Sequence, residues 1–217
     1  MSTRDFNEHS ITDAVIGRFA STPDLRLKQN LDSLVRHAHD FIRDVEPTYD
    51  EWMAAIMFLT RTGQISDDKR QEFILLSDTL GISMLVDAIN HRQPAGATET
   101  TVLGPFYVQN PPVKPLGADI SAGLEGTPLY VSGQVTAADG RPLGGAWVDV
   151  WQSDNDGFYD VQKEGEDPEL RARFIADENG RFALWTLVPR WYPIPNDGPV
   201  GEMLAATRRH PNRPSHI

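Results

Sequence analysis

An α+β fold is predicted for this chain: a helical N-terminal region followed by an antiparallel β-sandwich. Two observations carry the prediction. Up to Asn90, apolar residues recur at three-to-four spacing, the period of a helix buried along one stripe. From Leu129 onward they alternate, in short runs separated by Gly- and Pro-rich turns without a helical period between them. The change of period follows the break Gln93-Pro94-Ala95-Gly96, so the expected domains are 1–100 and 101–217, joined near Thr98 to Val113.

In the first region, Thr22-Pro23 reads as an N-cap and first-turn proline. Leu27, Leu31, Leu34, Val35, Ala38, Phe41, Ile42 and Val45 then form one apolar stripe, and Pro47 ends the helix. Thr48 and Glu51 form a capping box for a helix through Trp52, Ile56 and Leu59 that Gly63 should close. Ser66-Asp67-Asp68 reads as the start of another, with Phe73, Leu76 and Leu80 on one face, and Ser83 to Asn90 as a short fourth. In the second region the strands are Leu129 to Val135, the run around Ala146, Val148 and Val150, and Arg181 to Leu187. Turns at Asp139-Gly140-Arg141-Pro142 and Asp177-Glu178-Asn179-Gly180 separate them.

Charge and composition exclude several classes. Twenty basic against thirty-one acidic residues give a net charge of −11, which opposes nucleic acid and anionic membrane as partners. The chain has no cysteine, so disulfides and thiolate metal sites are ruled out. Met1 to Ala20 has no apolar stretch of signal-peptide length, and the run Trp52 to Leu59 is far below the ~20 residues of a spanning helix. A cytoplasmic protein without membrane insertion is expected.

Most candidate motifs fail on geometry. His37 and His39 lie two apart on a helix and so point to nearly opposite faces. Asp154-Asn155-Asp156-Gly157 has a calcium-loop flavour, but Lys163 stands where the bidentate glutamate belongs, which favours a structural turn. No phosphate-binding glycine loop or serine-nucleophile elbow is present. Taken singly, a tyrosine is a half-buried packing residue and a histidine near the C-terminus a solvated one.

Their conjunction reads differently. Val102-Leu103-Gly104-Pro105-Phe106, Asp149-Val150-Trp151-Gln152, Asp156-Gly157-Phe158-Tyr159, the run Tyr192-Pro193-Ile194-Pro195 continuing to Gly201, and Arg213-Pro214-Ser215-His216 occur in this order. The chain thereby resembles the intradiol ring-cleavage dioxygenases over nearly its whole length. In its helical half it is more similar to hydroxyquinol 1,2-dioxygenases, through Leu75-Leu76-Ser77-Asp78 and Thr101 to Phe106. The resemblance implies non-haem Fe(III) held by Tyr159, Tyr192 and His216, with Tyr192 as the tyrosinate that leaves on substrate binding and takes up a proton. Such a donor set is chemically apt, because a hard cation favours anionic oxygen and itself stabilises the phenolate.

By the same resemblance Arg213 would stabilise charge on the ring during attack by O2. Leu75, Asp78, Val102, Gly104, Pro105, Phe106, Ile194, Pro195 and Arg213 would surround a small aromatic diol or triol. Asp78 would read the extra hydroxyl of hydroxyquinol, since a carboxylate in an apolar pocket needs such a partner. Ring opening between the adjacent hydroxyls would give a muconate or maleylacetate-type product. A homodimer through the N-terminal helices, with a lipid enclosed between subunits, is also implied. The family's closing run, Arg-Pro-x-His-x-His, would set a second histidine directly after Ile217. The expectation is therefore a truncated, inactive chain with an incomplete sandwich. The competing reading is a non-catalytic transthyretin-like binding module, which Val131 to Val135 and Asp139 to Val148 would also fit.

Overall fold

The computed structural model describes residues 6–121, 123–163 and 168–217; the first five residues of the Met1–Ala20 segment lie outside them. The chain forms two compact units, Met1–Thr60 and Arg61–Ile217.

In the first unit, α1 (Ile11–Gly17) packs on α2 (Leu25–Val45), and α3 begins at Tyr49 and runs to Gln64. The N-cap of α2 is Asp24 rather than Thr22: its carboxylate accepts from Arg26 N at 2.8 Å and Leu27 N at 3.0 Å. Helix α1 is too short, at seven residues, to announce itself by periodicity. It is fastened by Thr12, whose Oγ1 lies 3.0 Å from His39 Nδ1 and accepts from Arg43 Nη1 at 3.0 Å. His39 is thus a packing residue of the helix pair. The capping box forms as expected, with Thr48 N donating to Glu51 Oε2 at 2.8 Å and Glu51 N to Thr48 Oγ1 at 3.3 Å. Gly63, expected as a stop, lies inside α3. The stripe on α2 faces outward, with Leu34 and Phe41 64% and 60% exposed.

The second unit contains α4 (Glu72–Thr79), α5 (Ile82–Asn90) and the β-structure. Helix α4 starts six residues later than Ser66 suggested. The Asp67 carboxylate accepts from Lys69 N and Arg70 N, and this local turn competes with the helix. No described helix is long and apolar enough to cross a membrane.

Strand β1 (Pro128–Gln134) pairs antiparallel with β4 (Arg181–Leu187), aligning Val131 with Leu184. Strand β2 (Trp147–Trp151) pairs with β3 (Arg171–Ile175), aligning Val150 with Ala172. Ile120, Val150, Ala172, Phe174 and Leu184 form the apolar core. Sequence reasoning missed β3 because Arg171 and Arg173 interrupt its apolar pattern. Both are buried, each held by a carboxylate: Asp160 for Arg171 and Asp149 for Arg173. It also missed α6 (Pro199–Ala206), whose first residue is a proline. Tyr192 lies in the short strand β5 (Tyr192–Pro193), which pairs with β6 (Asn212–Arg213).

The Asp149–Arg173 pair is bidentate, at 2.5 and 2.7 Å, and Tyr107 Oη donates to Asp149 at 3.2 Å. The Arg173 guanidinium, assisted by Tyr107, holds the Asp149 carboxyl below its ordinary range. A depressed pKa stabilises the fold above the unfolded value of ~3.9, and that stabilisation is lost as pH falls through the folded value. Asp149→Asn should therefore lower the melting temperature at pH 7, and the gap from the parent should close in acid. Thermal melts across pH would reveal it; a gap that widens in acid would contradict the assignment.

Candidate metal centre

Two segments and the C-terminal residues bring the candidate donors together. The first segment leaves β2 and is shaped by Asp154. Its Oδ1 accepts from Asp156 N at 2.8 Å and Phe158 N at 2.9 Å, and its Oδ2 lies 2.7 Å from Lys163 Nζ. A lysine ammonium occupies this carboxylate, so the turn is structural and no calcium loop. Gly157 follows with φ +88°, a left-handed conformation that glycine adopts without strain. Tyr159 comes next, its N–H donating to Gln162 Oε1 at 2.9 Å.

The second segment descends from β4 into β5 and is laced to the first. Gln152 is buried, donating to Leu187 O at 2.8 Å and accepting from Thr186 Oγ1 at 2.8 Å. Ser153 Oγ donates to Arg190 O at 2.8 Å. A Cβ on Gly157 would lie 3.0 Å from Trp191 O and 3.4 Å from Tyr192 Cβ, so the two segments touch through backbone. None of these supporting residues was singled out from sequence for this role, although Gln152 and Gly157 fall inside the motifs that were quoted.

The aromatic rings then converge. Tyr159 and Tyr192 meet edge-on at 5.3 Å between centroids, and the Tyr192 and His216 rings lie tilted at 5.8 Å. Tyr159 Oη lies 3.4 Å from His216 Nε2. That is long for a hydrogen bond and suits two donors facing a common point. His216 Nδ1 is 2.8 Å from Pro214 O, an atom that only accepts; in a neutral ring the proton would sit on Nδ1 and leave Nε2, the atom nearer Tyr159, as the metal-binding nitrogen. Phe106 stacks on Tyr159 at 4.3 Å and meets Tyr192 edge-on at 5.9 Å.

Tyr159 is 2% exposed, whereas Tyr192 is half-buried and His216 open. Burial pushes the Tyr159 phenol well above its ordinary pKa, and the adjacent Tyr192 adds to this; the Arg213 and Arg171 guanidinium groups pull the other way. Among the described residues, no three His, Cys, Asp or Glu side chains converge as a metal site. The donor set on offer is two phenols and an imidazole. Such a set fits a hard trivalent cation, whose charge would offset the cost of ionising a buried phenol.

Arg213 stands opposite Tyr192 in the β5–β6 ladder, so the two side chains share a face. Its Nη2 is 3.8 Å from Asp78 Oδ2, in the last turn of α4. Leu75 lies one turn earlier on that helix and is half-buried. Ile194, half-buried, and Pro195, exposed, follow Tyr192 directly. Val102, Gly104 and Pro105 form an exposed irregular segment leading to Phe106, with Gly104 at φ +77°.

Comparison with known proteins gives the family. Residues 24–98 match the family described as catechol dioxygenase N terminus, and residues 102–217 match the family described as dioxygenase. This chain belongs to the intradiol ring-cleavage dioxygenases. It is 54% identical over 215 residues to a 6-chlorohydroxyquinol 1,2-dioxygenase of Cupriavidus pinatubonensis, covering 99% of this chain and 78% of the relative. It is 49% identical to a hydroxyquinol 1,2-dioxygenase of a Rhizobium species, covering 98% of this chain and 72% of that one. The crystal structure of hydroxyquinol 1,2-dioxygenase from Pseudomonas putida superposes with a TM-score of 0.92 at 51% identity, covering 96% of this chain and 73% of that one. Enzymes of this family open aromatic rings and use non-haem iron.

Gly157→Ala should strain the turn that presents Tyr159, by both its positive φ and its contact with Trp191 O. The expected cost is about 1–2 kcal/mol for the left-handed backbone alone. Melting and near-ultraviolet circular dichroism should both shift. A variant indistinguishable from the parent would mean that the turn tolerates a side chain.

Proposed function

We propose that this protein, once the family's second histidine ligand is supplied, cleaves hydroxyquinol, or a related catechol, between its adjacent hydroxyls with O2, using Fe(III) held in part by Tyr159, Tyr192 and His216. The convergence of these three side chains is the observation that carries the reading. The names of the relatives, hydroxyquinol dioxygenases at 47–54% identity, support the substrate. Iron, when bound, supplies a centre on which the diol oxygens can be held and the ring made reactive toward O2.

The rest is the work of the chain's own groups. Tyr159, buried and stacked on Phe106, stays in place and keeps water from one side. Tyr192 is half-buried where Tyr159 is fully buried, so of the two phenols it is the one better placed to receive a substrate proton at Oη. Arg213 sets a guanidinium on the same face as Tyr192, where it stabilises negative charge spreading over the ring. Asp78, whose side chain is 19% exposed, accepts the third hydroxyl and steadies Arg213. Leu75, Val102, Gly104, Pro105, Ile194 and Pro195 complete the wall, and the opened product is a muconate or maleylacetate-type acid. Oxygen consumption matched one-to-one by loss of hydroxyquinol tests the reaction; turnover without oxygen uptake would exclude it.

In this reading residues 1–100 serve chiefly for assembly and 101–217 carry the metal. The exposed stripe of Leu34, Phe41, Ile42 and Val45 supports a homodimer through the helices. A cleft of about 260 Å³ lined by Ile42, Pro47, Thr48, Tyr49 and Trp52 is apolar enough to take part of a lipid chain. Sedimentation at micromolar concentration should give a dimer, and a well-folded monomer would refute it.

Asp78→Ala should weaken turnover of hydroxyquinol selectively. One hydrogen bond to a charged group is worth roughly 1.5–3 kcal/mol, so the preference over catechol should fall about ten-fold or more. Equal losses on both substrates would make Asp78 structural.

A further inference from the structure

Among the described residues, the most deeply buried carboxylate outside the ring cluster belongs to Glu72, whose side chain is 0% exposed. Its Oε2 accepts from Arg70 Nε at 3.1 Å and Nη2 at 3.0 Å, and its Oε1 accepts from the backbone N–H of Val200 at 3.1 Å. Val200 is the second residue of α6, and Pro199 before it has no N–H to offer. The N-cap of α6 is Gly198, which carries no side chain to accept that N–H. Glu72 thus does from α4 what an N-cap side chain does locally.

Gly198 is extended, at φ −125°, so its backbone conformation does not require glycine. Space does. A Cβ there would lie 2.7 Å from Glu72 Oε1 and 2.8 Å from Arg70 Nη2. Arg70 reaches on to Asp197, at 2.8 Å. A Cβ on Gly201 would fall inside the Asn196 backbone, so the segment also packs directly on α6. Two further contacts reinforce the attachment: Arg61 to Glu202 at 2.6 Å, and Arg209 Nη1 donating to Thr79 O at 2.9 Å.

A buried ion pair is weak support for stability as such, because desolvation offsets most of the attraction. Its worth lies in fixing which surfaces meet. Here it joins the start of α4, which carries Leu75 and Asp78, to the end of the segment that carries Tyr192, Ile194 and Pro195. We infer that Glu72 is a positioning residue for substrate: by capping α6 from α4 it sets the separation of the two pocket walls. The inference rests on the proposed function, which makes those residues the ring-binding wall.

The test uses the iron-loaded protein with Glu72→Gln and Asp197→Asn, reading KM and kcat for hydroxyquinol and the visible phenolate-to-Fe(III) absorption without substrate. Glu72→Gln keeps the shape but sets an amide against the Arg70 donors. It should raise KM about ten-fold, the size of one charged hydrogen bond, with a smaller fall in kcat. The absorption band should shift as Tyr192 is re-aimed. Asp197→Asn, at a side chain 72% exposed, should act in the same direction more weakly and leaves folding intact. A KM within about two-fold of the parent overturns the inference, even where the melting temperature falls, because a merely structural carboxylate would do only that. Should Glu72→Gln fail to fold, Asp197→Asn decides by the same criterion. A parent protein that neither absorbs nor consumes oxygen would sink the proposed function and this inference with it. A normal parent with unshifted variants sinks the inference alone.

Discussion

A phenol buried among other rings ionises only if something compensates the loss of water, and the site is organised around that constraint. Tyr159 is nearly inaccessible, stacked on Phe106 and set edge-on to Tyr192. Burial and the neighbouring phenol disfavour its anion, and the guanidinium groups of Arg213 and Arg171 offset only part of this. A cation held between Tyr159, Tyr192 and His216 Nε2 would supply the remainder. The neighbouring groups are arranged accordingly. Arg171 is itself neutralised by Asp160 at 2.5 Å, so its influence on Tyr159 is moderated rather than dominant.

Such a centre requires donors from distant parts of the chain to be held to within a fraction of an ångström. The structure meets this with backbone contacts and buried polar links instead of apolar packing alone. Gly157 lets two segments touch, Gln152 and Ser153 bind the carbonyls of Leu187 and Arg190, and Asp154 folds the turn before Tyr159. The β5–α6–β6 excursion is fixed to α4 by Glu72 and Arg70, and its own ladder sets Arg213 beside Tyr192. Tyr192 is half-buried where Tyr159 is fully buried, a difference that suits the proposed division of roles between the two phenols.

How much of this could be read from sequence depended on where the signal lay. Helices α2 and α3 followed from periodicity and the Thr48–Glu51 box, and β1 and β4 from alternation. Strand β3 stayed hidden because Arg171 and Arg173 are buried by pairing with residues 11 and 24 positions away, which no local pattern records. Strand β5 left no trace in the sequence, because two residues, one of them proline, are too short to show a period. The donors Tyr159, Tyr192 and His216 were legible only in conjunction, as motifs in order. Glu72 was invisible, since its partner Val200 lies 128 residues on and glutamate at a helix start is ordinary.

Resonance Raman spectroscopy of the Fe(III)-loaded protein, excited in the visible band, tests the central claim most directly. Enhanced ring modes identify which tyrosines bind the metal. The account predicts tyrosinate modes in the parent, a part of them lost in Tyr159→Phe and a different part in Tyr192→Phe. A spectrum without enhanced tyrosinate modes, or one that either substitution leaves unchanged, would contradict a centre built on these two residues.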